Sequence, residues 1–317
     1  PVAQVVAHGL GETPKAIILW TVGNTNQNFA GGFHHAFGMS DGTASGSTSA
    51  ASDDNAAHAN SSRRIAAKAL TVVEFNEVLL AEADLQSWDA TNFTLNWTTN
   101  DATAAVVHFI AIGGAGVSAK VVNWTMPTAA GNQAVTGVGF MPDVVLHTHG
   151  GPAMTANPST IPDGVSGLGV MAKDGSQWAN TFVSDDPSNF SNTQRYQRAN
   201  RTLVAIDFNQ VVQKEASFVS MDANGFTVNF TTANASASQV YSLALKGVSV
   251  KAGSFNKTTG AAPATQAITG LNFRPRAVLL SSFQDVTQGA SVPETRFGIG
   301  AADASTGGSS AFTDEDG

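Results

Sequence analysis

The chain has 317 residues, of which 42% are hydrophobic and only 13% charged, with a net charge of −8 and no cysteine. There is no basic stripe to meet phosphates, which counts against a nucleic-acid partner. No apolar run approaches the ~18–20 residues that cross a bilayer, and neither disulfides nor thiolate metal sites can form.

In chain order, Gly9-Leu-Gly-Glu-Thr-Pro14 leads into the apolar run Ala16-Ile-Ile-Leu-Trp20. The phrase returns as Gly137-Val-Gly-Phe-Met-Pro142 before Val144-Val-Leu146, and as Gly270-Leu-Asn-Phe-Arg-Pro275 before Ala277-Val-Leu-Leu280. Proline fixes φ at the start of a strand, where a missing N–H costs least, so each phrase predicts a strand. A second strand follows in Phe37-Gly-Met-Ser-Asp41, Leu168-Gly-Val-Met-Ala-Lys-Asp174 and Phe297-Gly-Ile-Gly-Ala-Ala-Asp303. Its shared glycine, at 38, 169 and 298, predicts a bulge or a close backbone approach. Residues 61–70 and 192–203 have helix-like composition, but a polar strand edge fits them as well.

Leu70-Thr-Val-Val-Glu74 and Leu203-Val-Ala-Ile-Asp207 predict the next strand. Then Ala216-Ser-Phe-Val-Ser-Met221 and Phe226-Thr-Val-Asn-Phe230 flank Asp222-Ala-Asn-Gly225, a hairpin signature. Leu85-Gln-Ser-Trp88 and Phe93-Thr-Leu-Asn-Trp97 hold the same places earlier in the chain. Two more strands are predicted at 105–112 with 239–245, and at 117–124 with 248–255.

The hairpin and the proline phrase both recur after 133 residues. That period is far longer than the roughly 20–50 residues of solenoid or propeller units and matches a whole domain. The expected architecture is all-β: tandem antiparallel β-sandwiches, jelly-roll-like, with repeats over 1–130 and 131–263 and a partial third over 264–317. The short linkers at 125–132 and 257–265 make the repeats close neighbours. Two strands of a sandwich cannot stand alone in water. The third repeat is therefore expected to be completed either by polypeptide beyond Gly317 or by another chain.

Few residue patterns point to chemistry. Ser52-Asp53-Asp54 returns as Ser184-Asp185-Asp186 and, in Thr313-Asp314-Glu315-Asp316, a third time. Such oxygen-rich loops are weak calcium candidates through Asp53, Asp54, Asp185, Asp186 and Asp314; a solvated acidic loop or an interface patch is the competing reading. Glu74 and Asp207 are expected to pair with arginines of the preceding segment, Arg63 or Arg64 and Arg195, Arg198 or Arg201, and Asp89 and Asp222 to cap a turn. His147 and His149 alternate on one strand face, as a metal pair requires, but Leu19 and Thr21, then Leu280 and Ser282, replace them in the other repeats. His34 and His35 are likewise unmatched. No nucleophile elbow, P-loop or dinucleotide fingerprint occurs, so no catalytic or cofactor-binding residue is expected. Trp88, Trp97 and Trp124 align with Met221, Phe230 and Phe255, which marks them as core. Trp20 and Trp178 are the unmatched tryptophans, and thus the candidates for a surface role.

Gly139-Phe-Met-Pro142-Asp-Val-Val-Leu146, with the Phe-Thr-Val-Asn hairpin downstream, resembles a repeat found in virion proteins of tailed phages. The resemblance implies a non-enzymatic, tail-associated or capsid-surface protein. It would sit on the virion surface, pack against other virion subunits, and form a homo-oligomer or symmetric lattice. The alternative is an extracellular adhesin or receptor-binding module for host-surface glycan, in which duplication supplies avidity.

Overall fold

The structure is a computed structural model that describes residues 1–23, 29–53, 60–186 and 190–316. It contains strands and no helix among these residues. The first repeat runs through β1 (Val2–Ala7), β2 (Ala16–Thr21), β3 (Phe33–Ser40), β4 (Ser45–Ser52), β5 (Ser61–Ala66), β6 (Leu70–Val73), β7 (Leu79–Trp88), β8 (Asn92–Thr99), β9 (His108–Ile112) and β10 (Ser118–Met126). The second runs through β11 (Gly131–Thr136), β12 (Val144–His149), β13 (Ser159–Pro162), β14 (Gly164–Ala172), β15 (Gln177–Ser184), β16 (Thr193–Arg198), β17 (Leu203–Ile206), β18 (Val212–Asp222), β19 (Gly225–Thr232) and β20 (Ser238–Lys246). The third contributes β21 (Ala277–Ser282), β22 (Val292–Pro293), β23 (Thr295–Asp303) and β24 (Gly307–Asp314).

Sheet order exposes the duplication. A four-stranded sheet β1-β8-β7-β6 matches β11-β19-β18-β17, and β9-β2-β3-β4-β5 matches β20-β12-β14-β15-β16. Each small sheet covers one face of its large sheet. In the first repeat Ile17 and Leu19 of β2 bury against Leu70, Phe93 and Leu95. In the second, Val145 of β12 meets Phe226, Val228 and Phe230. The other faces of the large sheets meet one another and the third sheet, β21-β23-β24, in a central core holding Ile18, Trp20, Phe37, Leu146, Phe182, Tyr241, Phe297 and Phe312. Burial on both faces explains why β2 and β12 read as unbroken apolar runs rather than alternating ones.

The predicted close approach is present at two of the three shared glycines. A Cβ on Gly38 would fall 1.9 Å from the Ala69 carbonyl oxygen, and one on Gly169 would fall 1.8 Å from that of Thr202. Both carbonyls belong to the turn that carries the chain from the large sheet into the small one. At Gly298 the nearest atom is 3.8 Å away, and strand register places Gly300 rather than Gly298 in the third position, opposite Leu280 as Gly38 and Gly169 lie opposite Leu19 and His147.

The repeats are interlocked rather than strung together. β10, at the end of the first repeat, pairs with β20 along its whole length and so extends the second repeat's large sheet. β13, in the second repeat, pairs with β5 of the first, and β22 of the third pairs with β16 of the second. The segments of helix-like composition are β5 and β16, the last strands that their own repeats give to the large sheets, each flanked by a short strand of the next repeat. Their arginines and glutamines face partners across these junctions, and that removes the helical alternative. The predicted strand at 248–255 is absent, as is any strand at 264–270.

Candidate functional site

The most organised polar arrangement in the molecule is the junction where the three repeats meet. Here the Ser-Asp-Asp loops do structural work. Ser61 at the start of β5 donates through Oγ to the Ser184 carbonyl at 2.8 Å and accepts from the Gly164 amide at 3.1 Å, while its own amide reaches Asp186 Oδ1 at 3.3 Å. Thr193 at the start of β16 repeats the set. Its Oγ1 donates to the Asp314 carbonyl at 3.0 Å and accepts from the Thr295 amide at 3.2 Å, and its amide reaches Asp316 Oδ1 at 3.1 Å. Buried side chains repeat as well. Thr48 Oγ1 lies 2.6 Å from Thr148 Oγ1, and Asn180 Nδ2 donates to Ser281 Oγ at 2.6 Å. Ser52 and Ser184 hydroxyls sit 3.4 Å apart, and Ser184 donates to Asp314 Oδ2 at 2.8 Å.

Each clasp is locked by a buried arginine. Arg63 Nη2 donates to the Pro152 carbonyl at 3.1 Å, and Nη1 reaches the Asp163 carbonyl and carboxylate. Arg195 Nη2 pairs with Asp285 Oδ2 at 3.1 Å, and Nη1 donates to the carbonyls of Pro293 and Glu294. Burial pulls the Arg63 guanidinium down to about 10 even though Asp163 opposes the shift. Arg63→Ala should cost about 2 kcal/mol, seen as a lower urea midpoint, because it strands a carbonyl and a half-buried carboxylate. Arg63→Lys should recover little of this, since an ammonium cannot serve the forked set of acceptors.

The return contact from the third repeat to the first closes the ring. Phe312 stacks on Phe33 with centroids 3.9 Å apart, and Phe182 meets both edge-on. A Cβ on Gly46 of β4 would collide with the Tyr241 ring of β20, and one on Gly308 of β24 would come within 2.6 Å of the His108 ring of β9. Gly46 and Gly308 hold the same repeat position, as do Tyr241 and His108. The first repeat thus touches the second as the third touches the first, which is a pseudo-threefold arrangement built within one chain.

These facts revise several expectations. Asp185 and Asp186 are half-buried at the junction rather than solvated; burial raises their carboxyl pKa values, and the nearby Asp163 charge adds to the shift. Among the described residues no three metal-ligating side chains converge, so Asp53, Asp185, Asp186 and Asp314 form no ready-made calcium cage; Asp54 lies outside the described residues. Glu74 does not pair with an arginine, since it binds His34 Nε2 at 2.8 Å. Asp207 turns to the amides of Asn209 and Val211 and to Gln213. The arginines go instead to Glu82, held by Arg64 at 2.7 Å, and to Glu215, held by Arg198 and Arg201 at 3.3 and 3.2 Å. The reason is position. Glu74 and Asp207 lie just past β6 and β17, where side chains serve the turn, whereas Glu82 and Glu215 lie opposite Thr71 and Val204 in the buried ladder. The recurrence of Glu82 as Glu215 after 133 residues is the sequence signal that marks this pair, and the expectation for Glu74 and Asp207 passed it over.

Asp89 caps its turn as expected, accepting from the amides of Thr91 and Asn92 at 2.7 Å, and these bonds lower its carboxyl pKa. Asp222 instead accepts from the hydroxyls of Ser220 and Thr227. Trp20 is buried, stacked on His108 at 5.4 Å, so it offers no surface. Trp178 is half-buried against the central core, at the repeat position held by Gly46 and Gly308. Trp88, Trp97 and Trp124 line the sandwich cores.

The histidines are sealed. His147 Nδ1 shares a hydrogen bond of 2.7 Å with Ser242 Oγ, which also accepts from Trp124 Nε1. His149 Nδ1 accepts from the Gly151 amide at 3.1 Å. His35 stands among Phe182, Phe297 and Phe312 with no polar partner on either ring nitrogen. Each of these three rings is fully buried, out of reach of any substrate. No known family model matches the chain, and no curated protein or solved structure is detectably similar to it.

Proposed function

We propose that the chain is a non-enzymatic structural protein of a phage virion, tail-associated or on the capsid surface, acting by packing and surface presentation. The observation that carries this reading is the junction. Two sandwich units and the single sheet of a third repeat are locked around a pseudo-threefold centre by a Ser/Thr-X-Arg clasp that occurs twice, which fixes orientation and leaves the outer sheets facing outward. Buried, repeated polar groups are spent on holding repeats together. Such use suits a particle component, where identical contacts recur under symmetry. The burial of Trp20 weighs against a glycan platform and favours packing over sugar binding.

The test is direct. Mass spectrometry of density-banded particles from the source of the sequence should recover peptides of this chain at a stoichiometry that stays constant across the band, and an antibody to the folded chain should label particles at regular positions. Recovery only from the particle-free fraction would overturn the proposal.

A further inference from the structure

The third sheet presents a face that its counterparts bury. Ile17 and Leu19 of β2 are 0% and 1% exposed, and Val145 and His147 of β12 are both 0% exposed, because a small sheet covers them. The same positions in β21 are Val278 and Leu280, and they are 38% and 49% exposed. Along β24, Ser309, Ala311 and Thr313 face outward, whereas their counterparts Ser47, Ser49 and Ala51, and Ala179, Thr181 and Val183, are buried. Gly300 lies opposite Leu280 as Gly38 lies opposite Leu19 and Gly169 opposite His147, and no carbonyl of a small-sheet turn descends on it as those of Ala69 and Thr202 do on Gly38 and Gly169.

The neighbouring chain tells the same story. Residues 264–270 correspond to β11, which pairs with β19, and residues 248–256 correspond to β10, which pairs with β20. Neither segment is a strand, and Ile268 and Phe255, counterparts of the core residues Val135 and Trp124, stand 45% and 48% exposed. A strand forms only when its ladder partner is present. Here the missing partners are those that β16 to β20 supply in the second repeat.

We infer that the outer face of β21, β23 and β24 is a docking surface for a third counterpart of the β16–β20 segment, reached through the loop after Asp316. That route follows from Asp316, which holds the Thr193 amide as Asp186 holds that of Ser61, so the chain keeps to the second repeat's path to its last described residue. The segment opens with Ser or Thr, any residue, then Arg, as in Ser61-Ser62-Arg63 and Thr193-Gln194-Arg195. Its turn lays a backbone carbonyl over Gly300. Its next three strands join residues 264–270 in a four-stranded sheet over Val278 and Leu280, and its last strand runs between β21 and residues 248–256. The inference rests on the internal repeat and is independent of the virion reading.

Hydrogen–deuterium exchange tests it on the 317-residue chain and on the same chain extended after Gly317 by a copy of residues 187–246. In the shorter chain, 248–256 and 264–270 should exchange at the earliest times while β12 and β14 are protected. In the extended chain those segments and β21 should slow by at least about 100-fold, as the ladder and the apolar cover form. Gly300→Ala puts a methyl where the turn's carbonyl must lie; it should leave 248–256 and 264–270 of the shorter chain exchanging at the earliest times and cancel the gain in the extended one. Three results would overturn the inference: no gain on extension with the appended segment exchanging freely, a gain that survives Gly300→Ala, or protection of β21 in the shorter chain together with dimeric sedimentation, which would make a second copy the occupant.

Discussion

Gly169→Ala should destabilise the protein by about 3 kcal/mol, whereas the same change at Gly298 should be neutral or stabilise it by about 0.5 kcal/mol. Sequence aligns the two glycines, but strand register puts Gly300 in the place of Gly169 and leaves Gly298 two residues away on the same face of β23, the face that no small sheet covers. A methyl on Gly169 would lie 1.8 Å from the Thr202 carbonyl oxygen, and real Cβ atoms essentially never come within 3.0 Å of another heavy atom. The obstruction is backbone, so no rotamer change relieves it. The turn from β16 to β17 would have to lift, pulling Leu203 and Val204 out of the core they share with Val165, Phe226 and Tyr196. At Gly298 the nearest heavy atom is 3.8 Å away, and the added methyl mainly lowers the entropy of the unfolded chain. Gly38→Ala should behave like Gly169→Ala, because the Ala69 carbonyl is as close. Urea unfolding of the three variants checks this. Equal midpoints for Gly169→Ala and Gly298→Ala would mean that the small sheet does not seat on that carbonyl.

The same glycines show how far this fold can be read from sequence. Their recurrence predicted a close approach that holds at Gly38 and Gly169 and fails at Gly298, which is two residues out of register, and the doubled hairpin around Asp222-Ala-Asn-Gly225 predicted β18 and β19. β4, β15 and β24 escaped notice. Ser45-Gly-Ser-Thr-Ser-Ala-Ala-Ser52 shows neither apolar alternation nor β-branched enrichment, yet it is buried almost throughout, because small residues let one repeat close on the next. The Ser-Asp-Asp loops were visible as a recurring motif, but their task was not. A clasp that joins Ser61 to Asp186 spans 125 residues, and nothing local to either end announces the other. The strand at 117–124 was likewise expected, while its pairing partner in the second repeat was not, since periodicity specifies a strand and not the sheet it joins. The predicted strand at 248–255 fails for the complementary reason. Its residues have strand character, and no partner strand lies beside them.

Acid should unfold the protein well above the pH at which exposed carboxylates protonate. His35 and His147 are held down to about 3 and His149 to about 4, chiefly because burial penalises the charged ring. In the unfolded chain each ring titrates near 6.5. Below that value the unfolded state binds protons that the folded state refuses, so stability is complete above pH ~6.5 and falls as pH drops toward the folded values. At pH 5 the loss is about 2 kcal/mol per ring and about 6 kcal/mol for all three. That is comparable with the whole stability of a typical domain. Asp185 and Asp186, whose carboxyls are raised, oppose the trend, but both are only half-buried, so solvent screens part of their contribution. The decisive variant is His35→Leu. The ring sits among three phenylalanines with both nitrogens unpartnered, so an aliphatic side chain of similar reach should cost little at pH 7.5 and lower the acid midpoint by several tenths of a pH unit. Circular dichroism across pH 4–8 on both proteins reads the result. An unchanged acid midpoint in His35→Leu, with stability at pH 7.5 preserved, would show that the ring is not held neutral at the centre of the three-repeat core.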